Sequence, residues 1–457
     1  MPAEQDARSG ARVPLSVLDL VPVAAGSNAG EALHRSIDLA RRAETFGYAR
    51  YWLAEHHLNP GVAGSAPHTF LGILAASTER IRVGTAATIL ANYEPLQVAE
   101  AFGTVAALWP GRVDLGLGRS GFPPPDAGAR AAGADAPGSG APGGGAPDDA
   151  GAPPAPDAPP VARPSADTPN AVVDGLVIPP ARPFAFDRAR LAVQAHLLGR
   201  SPGDGGRFAD DVDDLRAFFA GGYTREGIAV TVLPAEGSDV ELWVHGSSAG
   251  ESARLAGRLG LRFGANYHVA GSGVLDALAE YRAHFRPSAG LDRPYTTVSV
   301  DVVVAETDDE ARRLAAGYAE WVLSIREGQG AVPYPSPEDA IGEELLGAAE
   351  RAAVQDRLDT RFVGSPATVV ERLETLQRVT GADELLVTTI THDHERRVAS
   401  YRLLAEAWGA VRPHDAGAEA SRADATRADA TAQDASVAGA SVAVDPSPAA
   451  APALSRA

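Results

Sequence analysis

IRVGTAATILANYEPLQVAEAFGTVAALWPGRVDLGLGRSG, residues Ile81–Gly121, is a strand, a helix and a second strand written in order. Ile81–Ala87 and Val113–Leu117 are short, nearly continuous apolar runs, as strands buried on both faces of a parallel sheet must be. Between them Pro95–Leu108 repeats apolar residues at i, i+3 and i+4, so one stripe of that helix packs on the sheet. Six more β-rich runs lie on either side: Val13–Asp19, Arg50–Leu53, Glu241–His245, Arg262–Ala265, Thr296–Val304 and Glu384–Thr389. The stretches Glu31–Phe46, Glu251–Leu259, Val274–Phe285, Asp308–Ile325, Pro366–Arg378 and His394–Trp408 read as amphipathic helices. Eight strands with intervening helices fit a (β/α)8 TIM barrel in about 250 residues plus insertions. A doubly wound open sheet is the competing α/β architecture.

The chain has 457 residues, 48 of them Gly and 35 Pro, but two segments have no capacity for a core. From Pro123 to Ala171 the one large aliphatic is Val161. Beyond Arg412 the tail runs through SRADATRADATAQDA into Pro and Ala. Neither can bury enough apolar surface to offset ordering entropy, so both read as disordered. The expected organisation is a barrel over 13–411, interrupted by a low-complexity insertion at 122–183 after the fourth strand, and a disordered tail at 412–457.

Composition removes much chemistry. There is no Cys, and all 40 basic residues are Arg, so Lys is absent too. Disulfides, cysteine-ligated metals, thiolate nucleophiles, Schiff-base lysines and P-loop lysines are all excluded. A net charge of −19 argues against nucleic acid or an anionic membrane as partner. No apolar run reaches the length of a membrane span, and the N-terminus does not read as a secretory signal. A cytoplasmic protein is expected.

Barrel chemistry sits at the C-terminal ends of the strands, and polar residues gather there. The second run ends in Glu55-His56-His57, the fourth in Gly118-Arg119-Ser120-Gly121, the fifth in His245-Gly246-Ser247-Ser248, and the sixth in Asn266-Tyr267-His268. GLGRSG matches G-x-G-x-x-G, but FPPP follows where a dinucleotide fingerprint needs a helix. HGSSAGESARLAG sets Ser247 and Ser248 before a helix N-terminus, an anion-binding arrangement or an ordinary serine cap. Arg119 supplies the cation that such a site needs. His56 beside Glu55 suits general acid–base work or a structural histidine. The run His392-Asp393-His394 reads as a surface helix start, and no metal is assigned.

The stretch LAEHHLNPGVAGSAPHTFLGILAASTERIRVGTAATILANYEPLQVAEAFGTVAALWPGRVDLGLGRSG resembles the bacterial luciferase-like flavin-dependent oxidoreductases. VHGSSAGESARLAGRLGL and VGSPATVVERLETL share that resemblance, which spans roughly 15–121 and 184–404. It implies a TIM barrel and reduced FMN as co-substrate. A flavin hydroperoxide formed with O2 then oxygenates a small organic substrate. The partners implied are a separate flavin reductase and a second copy of the chain in a homodimer. By the same resemblance, Arg119, Ser247 and Ser248 hold the flavin phosphate, and a non-prolyl cis peptide joins Ala86 to Ala87 beneath the ring. Glu55 belongs to the cofactor site and His56 is catalytic. A further hydroxyl ligand of the pattern falls at Glu251, a departure that leaves Ser252 or backbone N–H groups to substitute. A lid is expected within Arg326–Arg361. The deazaflavin coenzyme F420, or a non-catalytic flavin-binding subunit, are the alternatives on this fold.

Overall fold

The computed structural model describes residues 12–119, 168–182, 188–200 and 207–410. Its centre is a closed parallel barrel. The eight strands are β1 Leu15–Asp19, β2 Arg50–Leu53, β3 Arg82–Ile89, β4 Val113–Gly118, β5 Glu241–Gly246, β6 Arg262–Asn266, β7 Thr296–Val304 and β8 Glu384–Thr388. Each strand pairs with its sequence neighbours, and β8 returns to β1 with Leu15 opposite Leu385. The pairing of β6 with β7, Phe263 opposite Thr296, completes the ring, so the open-sheet alternative is excluded.

The outer layer is α1 Ala29–Thr45, α2 Pro67–Ser77, α3 Pro95–Leu108, α4 Phe208–Ala220, α5 Glu251–Leu259, α6 Val274–His284, α7 Pro366–Thr380 and α8 His394–Trp408. In α1 the Asn28 side chain caps the amide of Glu31, and Leu39, Ala40 and Ala43 are buried toward the strands. Burial of a side chain such as Leu39 contributes roughly 1.5–3 kcal/mol. One large apolar cluster fills the space between strands and helices, and a second, with Trp52, Trp243, Tyr318 and Tyr334, occupies the lumen and mouth. No helix among the described residues is long and apolar enough to cross a membrane.

Three details differ from the sequence reading. The stretch assigned to an insertion at 122–183 ends early: Ala171–Val173 and Leu176–Ile178 form a hairpin whose Leu176 is buried in the main core. The hydroxyl of Tyr267 donates to the carbonyl of Val177 at 2.7 Å and ties the hairpin to the end of β6. Leu176, Val177 and Ile178 supply the apolar contact that the preceding residues lack. The remainder, 120–167 and 183–187, lies outside the described residues, as does the tail from 411. The single helix expected over Asp308–Ile325 is two, Asp308–Leu314 and Tyr318–Arg326. A side chain at Gly317 in the break would come within 2.6 Å of Pro335. Finally, Phe362–Gly364 adds a short strand to the upper half of β7.

Candidate active site

At the C-terminal mouth a cavity of about 150 Å³ is lined by Arg119, Ser247, Ser248, Ala86, Ala87 and His268, among others. One end of it is built for an anion. Helix α5 begins after Gly250, and no side chain caps its first turn. Its leading amides therefore remain available, and the helix dipole adds positive potential there. Ser247 and Ser248 come from the β5–α5 turn and Arg119 from the end of β4, so two neighbouring strands bring hydroxyls and a guanidinium to the same helix end. Arg119 Nη1 donates to Glu251 Oε2 at 2.5 Å, with only 10% of the Arg119 side chain exposed.

The opposite wall comes from β3. The peptide between Ala86 and Ala87 is cis, and the pairing of β3 with β4 shifts register between Thr85 and Thr88. Both alanines face the cavity, beside Gly118. Glu55, expected at the cofactor site, is not among the residues lining this cavity. It is an organiser: its carboxylate accepts from the amide of Ile89 at 3.0 Å and from Asn92 Nδ2 at 2.6 Å, and meets His57 Nε2 at 2.9 Å. Those contacts clamp the end of β3 to the end of β2 and thereby fix the Ala86–Ala87 turn.

Three histidines lie here, His268 buried and His56 and His245 half-buried, and loss of water around each ring pushes it down from 6.5 to about 4. All are therefore neutral at physiological pH. His56, the expected catalytic residue, does not line this cavity; its amide donates to the carbonyl of Gly64, and its Nδ1 is buried with no partner among the described residues. His245 and His268 do line the cavity. His245 lies across the lumen between β4 and β6, where a Cβ on Gly116 would fall 2.7 Å from its Nε2 and one on Gly264 2.1 Å from its Nδ1. Gly116 on β4 and Gly264 on β6 thus give the imidazole room.

His268 is the better-oriented of the two. Its Nδ1 lies 2.8 Å from Ser299 Oγ. That hydroxyl has the carbonyl of Ala265 and Asn266 Oδ1 as acceptors, each at 3.4 Å. The 2.8 Å contact to Ser299 fixes the ring, and a ring that donates from Nδ1 keeps its Nε2 lone pair as an acceptor. The sequence reading placed His268 at a strand end but gave it no role. His245 likewise stood at a strand end without a role, and Ser299 carried no motif.

The expected lid segment is seated on the mouth. The amide of Tyr334 donates to Val23 and that of Ala25 to Tyr334, while Gly61 donates to Ala331. At the far side of α8, Asp393 caps the helix through the amide of Arg396, as the HDH run implies. Asp38, His394 and Glu395 gather there, but Arg42 lies 2.9 Å from Asp38 and 3.0 Å from Glu395 and neutralises the pair.

Fold and cavity together describe a TIM barrel with a polar cavity at its C-terminal mouth. Family comparison narrows this class: the luciferase-like monooxygenase model matches residues 13–139 and 209–384. The chain belongs to that family. It is 34% identical to the uncharacterised protein YvbT of Bacillus subtilis, over 86% of this chain and 96% of the relative. It is 32% identical to a luciferase-like monooxygenase of Escherichia coli K12, over 86% and 96%. Among solved structures it resembles apo-MsnO8, with 29% identity, a TM-score of 0.63 and coverage of 88% and 98%.

Proposed function

We propose that this protein is an FMN-dependent monooxygenase, taking reduced FMN from a separate reductase and using O2 to oxygenate a small organic substrate. The observation that carries this reading is the cavity itself, with an anion cradle of Arg119, Ser247, Ser248 and the α5 N-terminus at one end and the flat Ala86–Ala87 wall along its side. When bound, reduced FMN supplies the electrons that activate O2 for transfer of one oxygen atom. The side chains do the rest. Arg119 and the two serines hold the phosphate, and Ala86 and Ala87 leave room for a planar ring. Leu18 and Leu386 keep the inner wall apolar and limit water. Neutral His268, with Nδ1 held by Ser299, presents Nε2 as a proton acceptor, while His56 does not line the cavity.

Among the described cavity residues the charged side chains are Arg119 and Glu251. One cation already facing a carboxylate suits the single phosphate of FMN better than the acidic tail of F420. The reading also includes pairing with a second copy of the chain. Its test is the survival of reduced FMN in air. The protein should bind reduced FMN and lengthen its lifetime, with oxygen appearing in a substrate. Failure to bind reduced FMN, together with binding of reduced F420, would overturn it.

A further inference from the structure

We infer that Glu251 is an internal competitor for the phosphate seat, which makes FMN a readily exchanged co-substrate rather than a resident cofactor. The inference rests on the FMN reading above and concerns how the same site is regulated. Three observations support it. Glu251 is the first residue of α5, so its backbone belongs to the anion cradle while its side chain carries the opposite charge to the one that cradle attracts. Its carboxylate already takes the Arg119 guanidinium at 2.5 Å, the same group that would grip a phosphate. The two side chains differ in freedom: Arg119 is 10% exposed and Glu251 45%, so the carboxylate is the partner able to swing into water.

The physical consequence is an exchange of anions on one guanidinium. Without phosphate, Glu251 satisfies Arg119 and keeps a nearly buried cation paired. An arriving phosphate must displace that carboxylate and then sit near its negative charge. Affinity for the phosphate end is thereby lowered, while contacts made by the ring and sugar chain are untouched. A hydroxyl residue at this position would donate to the phosphate instead of repelling it. A protein supplied by a separate reductase gains from such weakening, because each turnover must release one flavin and accept another. Specificity shifts too: a phosphorylated flavin is favoured over riboflavin by less than the remaining cradle would permit.

The test uses the full chain with Glu251→Gln and, as a second variant, Glu251→Ser. Both variants change the same half-exposed position. Oxidised FMN and riboflavin are titrated by fluorescence, and inorganic phosphate is scored by thermal shift. Both variants should bind FMN on the order of ten-fold more tightly than the parent, about 1.4 kcal/mol. Riboflavin affinity should not change, and phosphate should raise Tm more in the variants. Equal or weaker FMN and phosphate binding in both variants overturns the inference. If neither oxidised flavin binds any of the proteins, the phosphate thermal shift alone decides the competitor role of Glu251, and the FMN reading is decided separately by binding of reduced FMN.

Discussion

At the N-terminal end of the barrel Arg50 reaches Glu384, Asp114 and Glu241, whereas at the C-terminal end His56 Nδ1 and His245 Nε2 are buried with no hydrogen-bond partner among the described residues. The first region is a closed ionic plug. Arg82 adds a second guanidinium on Asp114 at 2.8 Å, Arg262 pairs with Glu241 at 3.1 Å, and Ser16 and Tyr295 both donate to Glu384. Trp243 lies above it and donates to Asp114 at 3.3 Å. Buried charge is tolerated there because each group has several partners. The second region leaves polar atoms of His56, His245, Thr388 and Thr389 unmatched. Unmatched buried groups cost stability, and of these four residues His245 lines the cavity, where a ligand with a complementary atom would recover part of that cost. One end of the lumen holds the barrel together and the other is prepared for a guest.

The contrast can be broken most forcefully from below. Arg50→Ala removes the guanidinium on Glu384 and leaves Asp114 with Arg82 alone, and should destabilise the fold by about 3–5 kcal/mol, read by denaturant unfolding; a loss below about 1 kcal/mol would show that the plug is dispensable. Next in size are the histidines. His268→Gln should lower oxygenation by about 10²-fold or more, with Ser299→Ala giving a smaller loss and an altered pH profile of kcat. His56→Ala tests the alternative of a non-catalytic subunit, which would lose nothing. If His56→Ala is damaging and His268→Gln is silent, the proton-handling assignment reverses.

Gly264→Ala addresses how the upper lumen was emptied. The added methyl meets the His245 ring, and overpacking of this kind should cost roughly 1–3 kcal/mol together with weaker flavin binding. An unchanged Tm would mean that His245 has another place to go. Acid sensitivity sharpens the comparison further. His56, His245 and His268 sit near 4 in the folded protein against about 6.5 when unfolded, so between those values the unfolded chain binds more protons. Stability should therefore fall as pH drops from 6.5 to 4, by up to about 1.4 kcal/mol per pH unit for each histidine. Asp211, raised by burial to about 6, works in the opposite direction and offsets part of the fall. Thermal unfolding across this range is the measurement, and a flat profile would show that the histidines are not held neutral. The smallest effect is expected outside the barrel: deleting 128–169 removes one large aliphatic residue, Val161, and should leave FMN affinity unchanged. A large loss would place that segment over the phosphate end beside Arg119.

Much of the frame was legible beforehand because its signals are local. All eight strands fall within two residues of the runs read from apolar continuity, and most helices follow from their 3.6-residue repeat. The cradle was legible for a related reason: Arg119, Ser247 and Ser248 lie at strand ends, and barrel topology sends strand ends to one face. The gaps fell where the deciding contact is distant in sequence. The partners of Glu55, Ile89 and Asn92, could not be read beforehand, because their approach depends on how β3 turns. The hairpin at 171–178 was taken for insertion because its anchor, Tyr267, is remote.

Sequence alone determined that the chain is a barrel, that it has no thiol or amine chemistry, and that polar groups crowd one mouth. Tertiary structure decided which of those groups share a cavity. Strand tilt and stagger set the height at which each side chain enters the lumen, and that placed His268 and His245 in the cavity lining and left His56 out of it. It also brought Glu251 onto Arg119 across 132 residues of chain. Hydrophobic periodicity records which face of an element is buried, but which two buried or half-buried polar groups meet depends on the closure of the whole ring.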